Sequence, residues 1–138
     1  MSLPKKPFER YRLQAKHNES LLNESCFPDP CKKKVLPYLD WNITLSFYIA
    51  LHFIQSYLSK SGYKTKFKSH LKRNDYLEKT VSVRDTKIKK ILADYLALYK
   101  LSKNYRYTPC QFHYQNSTLA CEYELFASKE LPTILGLI

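Results

Sequence analysis

At 138 residues and 16.4 kDa the chain is the size of one ordinary domain, and 44% hydrophobic with 25% charged residues suffices for a packed core, which excludes wholesale disorder. Its two glycines, Gly62 and Gly136, are too few for a Rossmann fold, a P-loop or a hairpin-rich β architecture, whose tight turns need positive φ. The net charge of +11 sits in the middle: residues 60–106 hold 14 basic and 4 acidic side chains, which points either to an anionic partner or to a lysine-rich face kept for solubility.

A first helix is predicted over 7–26, with Phe8, Tyr11, Ala15, Asn18 and Leu22 recurring at helical spacing. Pro28 and Pro30 then impose a loop, followed by the basic run Lys32-Lys33-Lys34. The strongest helix is predicted over 40–61, capped by Asp40. Ile43, Phe47, Ala50, Ile54 and Leu58 form one stripe, and Trp41, Leu45, Tyr48, Leu51 and Tyr57 widen it until the helix must be covered on several sides. Ser61-Gly62 is a stop, and 63–68 is read as loop. A short helix follows over 69–80 with Leu71, Tyr76 and Leu77 inward.

Ser82-Val83-Arg84-Asp85 fits a capping box that opens a long helix over 83–105, with Ile88, Ile91, Tyr95, Leu98, Ser102 and Tyr105 on its inner face. A polar linker, 108–117, leads to a last helix with Leu119, Tyr123, Phe126 and Ala127 inward, ended by Pro132. The expected architecture is one all-α domain over 1–138, an up-and-down bundle of four long helices plus a short one.

Met1–Pro7 has no apolar stretch behind it, as a secretory leader would, and nothing approaches the about 18–20 apolar residues of a membrane span. A cytoplasmic protein without a membrane partner is expected, and the sequons at Asn18, Asn23, Asn42 and Asn116 are read as accidental. Cys26, Cys31, Cys110 and Cys121 are then expected as free, partly buried thiols. The competing reading, a zinc site of Cys26, Cys31, Cys110 and His113, has suitable ligand types but widely separated pairs. No metal or cofactor is expected.

Of the four histidines, His52 is read as a core residue bonded to a neighbour, and His70 as exposed or capping. His113 follows Arg106 by seven residues. Arginine can grip a phosphate and histidine can move a proton, the minimum for metal-independent RNA cleavage. Lys64, Lys66, Lys68, His70, Lys72, Arg73, Lys87, Lys90 and Lys103 are the candidate nucleic-acid contacts. Tyr63, Phe67, Tyr76, Tyr105 and Tyr107 could stack bases.

Asp40-Trp41, Phe47-Tyr48-Ile49-Ala50-Leu51-His52, Ser69-His70, Tyr95-Leu96-Ala97-Leu98 and Ser102-Lys103-Asn104-Tyr105-Arg106-Tyr107 occur in that order. Over about residues 40–107 this resembles small bacterial and archaeal HEPN-type proteins (higher eukaryote and prokaryote nucleotide-binding). The resemblance implies a helical bundle, often a homodimer, that binds RNA or a nucleotide. Many members are ribonucleases or toxin components, and others bind without catalysis. In catalytic members an R-x4–6-H motif acts; it corresponds here to Arg106, which would hold the phosphate, and His113, the acid or base. The alternative expectation is a protein-interaction module, such as the partner of a nucleotidyltransferase-like protein, with the apolar tail 133–138 in the interface.

Overall fold

A computed structural model describes residues 5–24, 39–107 and 117–137. They are all-α, with no strand among them. Helix α1 spans Pro7–Glu24 and α2 spans Leu39–Lys60. Helix α3 runs over His70–Tyr76, continues through a π-helical turn at Leu77–Val81 and ends in Ser82–Arg84. Helix α4 is Thr86–Tyr107. Helix α5 runs over Ser117–Leu125, a π-helical turn at Phe126–Glu130, and Leu131–Ile134.

The hydrophobic run predicted for the second helix makes α2 the centre. Ile43, Phe47, Ala50, Ile54 and Leu58 are buried, and so are Ile49, Leu51 and Phe53 on its other sides. Such a helix needs cover all round, and α1, α4 and α5 each pack against it. Ala15 lets α1 lie close, and the buried Ser56 hydroxyl donates to the Phe8 carbonyl at 2.7 Å. Trp41 departs from the expected stripe and is 57% exposed at the start of α2.

Both glycines end helices. Gly62 has φ +80° and Gly136 has φ +71°. At each, the glycine and the next residue bond back into the last turn: Gly62 N–H to Ser59 and Tyr63 N–H to Leu58, and Gly136 N–H to Thr133 and Leu137 N–H to Pro132. Paired bonds of this kind satisfy carbonyls that a helix end leaves open, and the left-handed position costs glycine little. The second stop folds the tail inward, so Leu135 and Leu137 are buried against the chain's own core rather than left for a partner.

Several boundaries differ from expectation: α2 already includes Leu39, so Asp40 lies within it and not at its cap, and α3 runs on to Arg84. The cap of the fourth helix is Asp85, not Ser82. Asp85 is extended, and its Oδ1 accepts from the N–H of Lys87 and Ile88 at 3.0 and 3.2 Å. Its Oδ2 accepts from the Tyr57 hydroxyl at 2.6 Å, whereas Ser82 Oγ bonds back to the Glu78 carbonyl. Burial, followed by this carboxylate, pushes the Tyr57 hydroxyl up to about 12. The last helix also passes through Pro132 instead of stopping there. A proline lacks an N–H and crowds the preceding turn; the π-helical turn just before it loosens that turn.

Cys121 is disulfide-bonded, which corrects the expectation of a free thiol at this residue; Cys26, Cys31 and Cys110 lie outside the described residues. Cys121→Ala is expected to lower stability by about 2–4 kcal/mol. Urea denaturation checks this, and reductant should weaken the native chain by more than it weakens the variant.

Candidate functional site

The third helix buries Leu77 as expected, but ahead of it turns two polar residues inward in place of Leu71. Leu71 is 64% exposed, while Arg73, Asn74, Leu77 and Val81 face the body. Arg73 is only 6% exposed. Its Nε donates to the Tyr95 hydroxyl of α4 at 3.3 Å, and its Nη2 donates to His70 Nδ1 one turn earlier. No carboxylate pairs with it among the described residues. Arginine is seldom buried without an anion, because taking the charge out of water costs several kcal/mol.

Phe47 of α2, fully buried, is the hub that gathers the rest. Tyr48, His70, Tyr95 and Tyr99 lie with ring centroids 5.1, 5.7, 6.0 and 5.6 Å from it. The Arg106 guanidinium, in the last turn of α4, sits 5.4 Å from the Phe47 ring and 5.6 Å from Tyr48. Arg106 Nη1 donates to the Tyr48 hydroxyl at 3.0 Å, and Nε donates to the Ser102 carbonyl at 3.3 Å. The ring of His52, one turn along α2 from Tyr48, stacks 6.4 Å from it. Two guanidinium groups and two imidazoles are thus assembled from three helices on one aromatic floor.

The hydrogen bonds fix the histidines in opposite tautomers. His70 Nδ1 accepts from a guanidinium that can only donate, so in the neutral ring the proton is on Nε2. His52 Nδ1 lies 2.9 Å from Gln55 Oε1 and donates to it, which leaves Nε2 with a free lone pair. Burial holds both rings below the usual 6.5; Arg73 adds to the effect at both, and Arg106 adds to it at His70, while the Gln55 bond partly offsets it at His52. The site therefore offers fixed cations, one N–H donor and one basic nitrogen near neutral pH.

Both imidazoles bind protons less readily folded than unfolded. Their contribution to stability is present above 6.5 and is lost as pH falls from there through the lowered folded values. Thermal unfolding in chloride buffer should show this as a midpoint that drops between pH 7 and pH 5.5. The drop should be smaller in His52→Gln/His70→Gln, which has no imidazole here to protonate.

Of the candidate residues, Arg106, His70 and Arg73 come together in this cluster. His113 lies outside the described residues. Lys64, Lys66, Lys68 and Lys72 line a different feature, a groove between the 63–68 loop and the outer face of α3. Lys87, Lys90 and Lys103 are exposed on α4 and do not line that groove. His52, Tyr48 and Tyr95 were missed as site residues. The signal for the cluster was available in α3: His70 and Arg73 lie three apart, so they share a face, and that face continues into Leu77 and Val81.

Among the described residues no group of three or more His, Cys, Asp or Glu could hold a metal ion, and no helix is long and apolar enough to cross a membrane. No protein-family model, curated protein or solved structure matches the chain.

Proposed function

We propose that the chain is an HEPN-like module that binds the phosphate of an RNA or a nucleotide at the Arg73–Arg106–His70–His52 cluster. The observation that carries this reading is the guanidinium of Arg73, 6% exposed and with no carboxylate partner among the described residues. An oxyanion would supply the missing charge. Arg106 stands on the same aromatic floor and adds a second planar donor suited to phosphate. His70 Nε2–H would donate to the same anion. A neutral His52 has its Nε2 lone pair available to take a proton from a ribose hydroxyl, which gives the metal-independent ribonuclease a base in this cluster. Binding is the primary function in this reading, and cleavage is an activity the base permits.

The test is thermal unfolding in rising inorganic phosphate at constant ionic strength, with chloride as the balancing ion. A ligand that binds only the folded state raises the midpoint by mass action. The native chain should be stabilised, and Arg106→Gln should lose most of that gain. Equal stabilisation by phosphate and chloride would reject a phosphate site.

A further inference from the structure

The outer face of α3 carries a lysine-lined groove, separate from the cluster on its inner face. Lys72, Asp75, Tyr76 and Lys79 recur at spacings of three, one and three, and they line a groove of about 680 Å³ closed on the other side by Lys64, Lys66, Phe67 and Lys68. Successive residues on an α-helix are about 100° apart, so Lys72 and Arg73 point to different sides of the same rod. The loop is held in place: the Lys64 N–H donates to the Tyr76 hydroxyl at 3.2 Å, and the Phe67 and Tyr76 rings lie 5.2 Å apart. Of the five lysines, only Lys79 has a carboxylate partner among the described residues, Asp75 at 2.9 Å. Lys64 instead places its Nζ 5.1 Å over the Phe67 ring.

A cationic trough with an aromatic pair in its wall has two recognition elements. Lysines can follow a phosphate backbone, and ring faces can stack against bases that are not already stacked on each other. A membrane surface or an acidic peptide would use the lysines and leave the rings idle. A duplex would have no base face to offer. Contacts to phosphates and to base faces use nothing that a ribose 2′-hydroxyl adds, so DNA and RNA strands should bind alike.

We infer that the groove between the 63–68 loop and the outer face of α3 binds a single-stranded nucleic acid, DNA and RNA alike, by backbone contacts from Lys64, Lys66, Lys68 and Lys72 and by stacking on Phe67 and Tyr76. This goes beyond the phosphate-binding reading, to a polymer and to a second face of the same helix.

The test uses fluorescence anisotropy with labelled 15-nucleotide single strands, dT15 and U15, and a 15-base-pair duplex. One variant carries Lys64→Gln, Lys66→Gln, Lys68→Gln and Lys72→Gln. A control with the same change in charge carries Lys87→Gln, Lys89→Gln, Lys90→Gln and Lys103→Gln on α4. All eight lysines are exposed, so both variants should fold. The native chain should bind dT15 and U15 within a factor of about three of each other and the duplex more weakly. The groove variant should lose about tenfold or more in affinity, and its log–log salt slope should fall by about 3. The α4 control should keep most of its affinity, and Phe67→Ala should weaken the single strands but not the duplex.

Equal losses in the two lysine variants would overturn the groove in favour of diffuse attraction. Duplex binding as tight as single-strand binding, with no effect of Phe67→Ala, would overturn the stacking. Binding to phosphatidylserine vesicles without binding to dT15 would assign the lysines to a membrane surface instead. Inorganic phosphate separates the two sites: the groove variant should lose dT15 affinity and keep the native chain's stabilisation by inorganic phosphate, since none of its four lysines belongs to the cluster. Failure of the groove therefore leaves the phosphate result standing, and failure of the phosphate result leaves the dT15 result to be read by itself.

Discussion

Phe47→Ala should remove about 3–5 kcal/mol of stability. The ring is fully buried in the central helix. It also touches more than aliphatic core: four aromatic or imidazole rings and the Arg106 guanidinium approach it from α2, α3 and α4. Truncation leaves a cavity under a set of groups that cannot all collapse into it, because His70 and Tyr95 are both tied to Arg73. A small domain has only about 5–15 kcal/mol in total. The variant should therefore unfold at much lower urea, and its remaining folded fraction should lose the phosphate response. A loss below about 1.5 kcal/mol would mean that the ring is not the hub of the site. Phe47→Leu should cost less, since most of the volume remains.

The second large effect concerns Arg73 and separates a ligand-binding cation from a structural one. In Arg73→Met/Tyr95→Phe the buried charge and the hydroxyl that faces it disappear together; His70 Nδ1 also loses its donor, but that ring is only part-buried and can bond water instead. Replacing buried ionic groups with apolar residues of similar volume is often neutral or stabilising by about 1–4 kcal/mol. The free protein should then be as stable as the native chain or more so, while the stabilisation by phosphate disappears. Arg73→Met alone should be worse than the pair, because it leaves the Tyr95 hydroxyl buried without its donor, at a cost of about 1–3 kcal/mol. If the double variant were several kcal/mol less stable, the guanidinium would be holding the fold together, and its charge would need no ligand to explain it.

The helices were legible in the sequence wherever the apolar spacing was long and regular. The stripe of Ile88, Ile91, Tyr95, Leu98 and Ser102 is buried as its spacing predicts, and Gly62 stops α2 because the left-handed turn needs it. Reading failed at short range, where one polar residue decides the rotation of a helix. Leu77 is buried and Tyr76 packs against the core as expected, but Leu71 is left outside, and Arg73, bonded to Tyr95 and His70, takes the inward place in the first turn of α3. The π-helical turns at Leu77–Val81 and Phe126–Glu130 shift register after the point where a fixed period has been assumed. The Asp85 cap was hidden because Ser82 offered a better local match three residues earlier.

The site was half legible. Arg106 could be picked out as a cation in the last turn of α4, and it does stand beside the helix that supplies Tyr48. His52 was read as a core histidine, and its bond to Gln55 agrees with that; its place beside Arg73 and Tyr48 depends on how α2, α3 and α4 pack, which no local pattern encodes. The lysines were visible as charge but not as geometry. Four of them converge with Phe67 and Tyr76 only because the loop is fastened to α3, while those on α4 stay apart from the groove.

The most direct measurement follows the imidazole protons of His52 and His70 by NMR, from pH 5 to 8, with and without adenosine monophosphate. The bound phosphate should move both titrations upward and perturb the His70 Nε2 resonance, since an anion would then stand against the two guanidinium groups. Titration curves that superimpose in the presence and absence of the nucleotide would contradict a phosphate site built on Arg73.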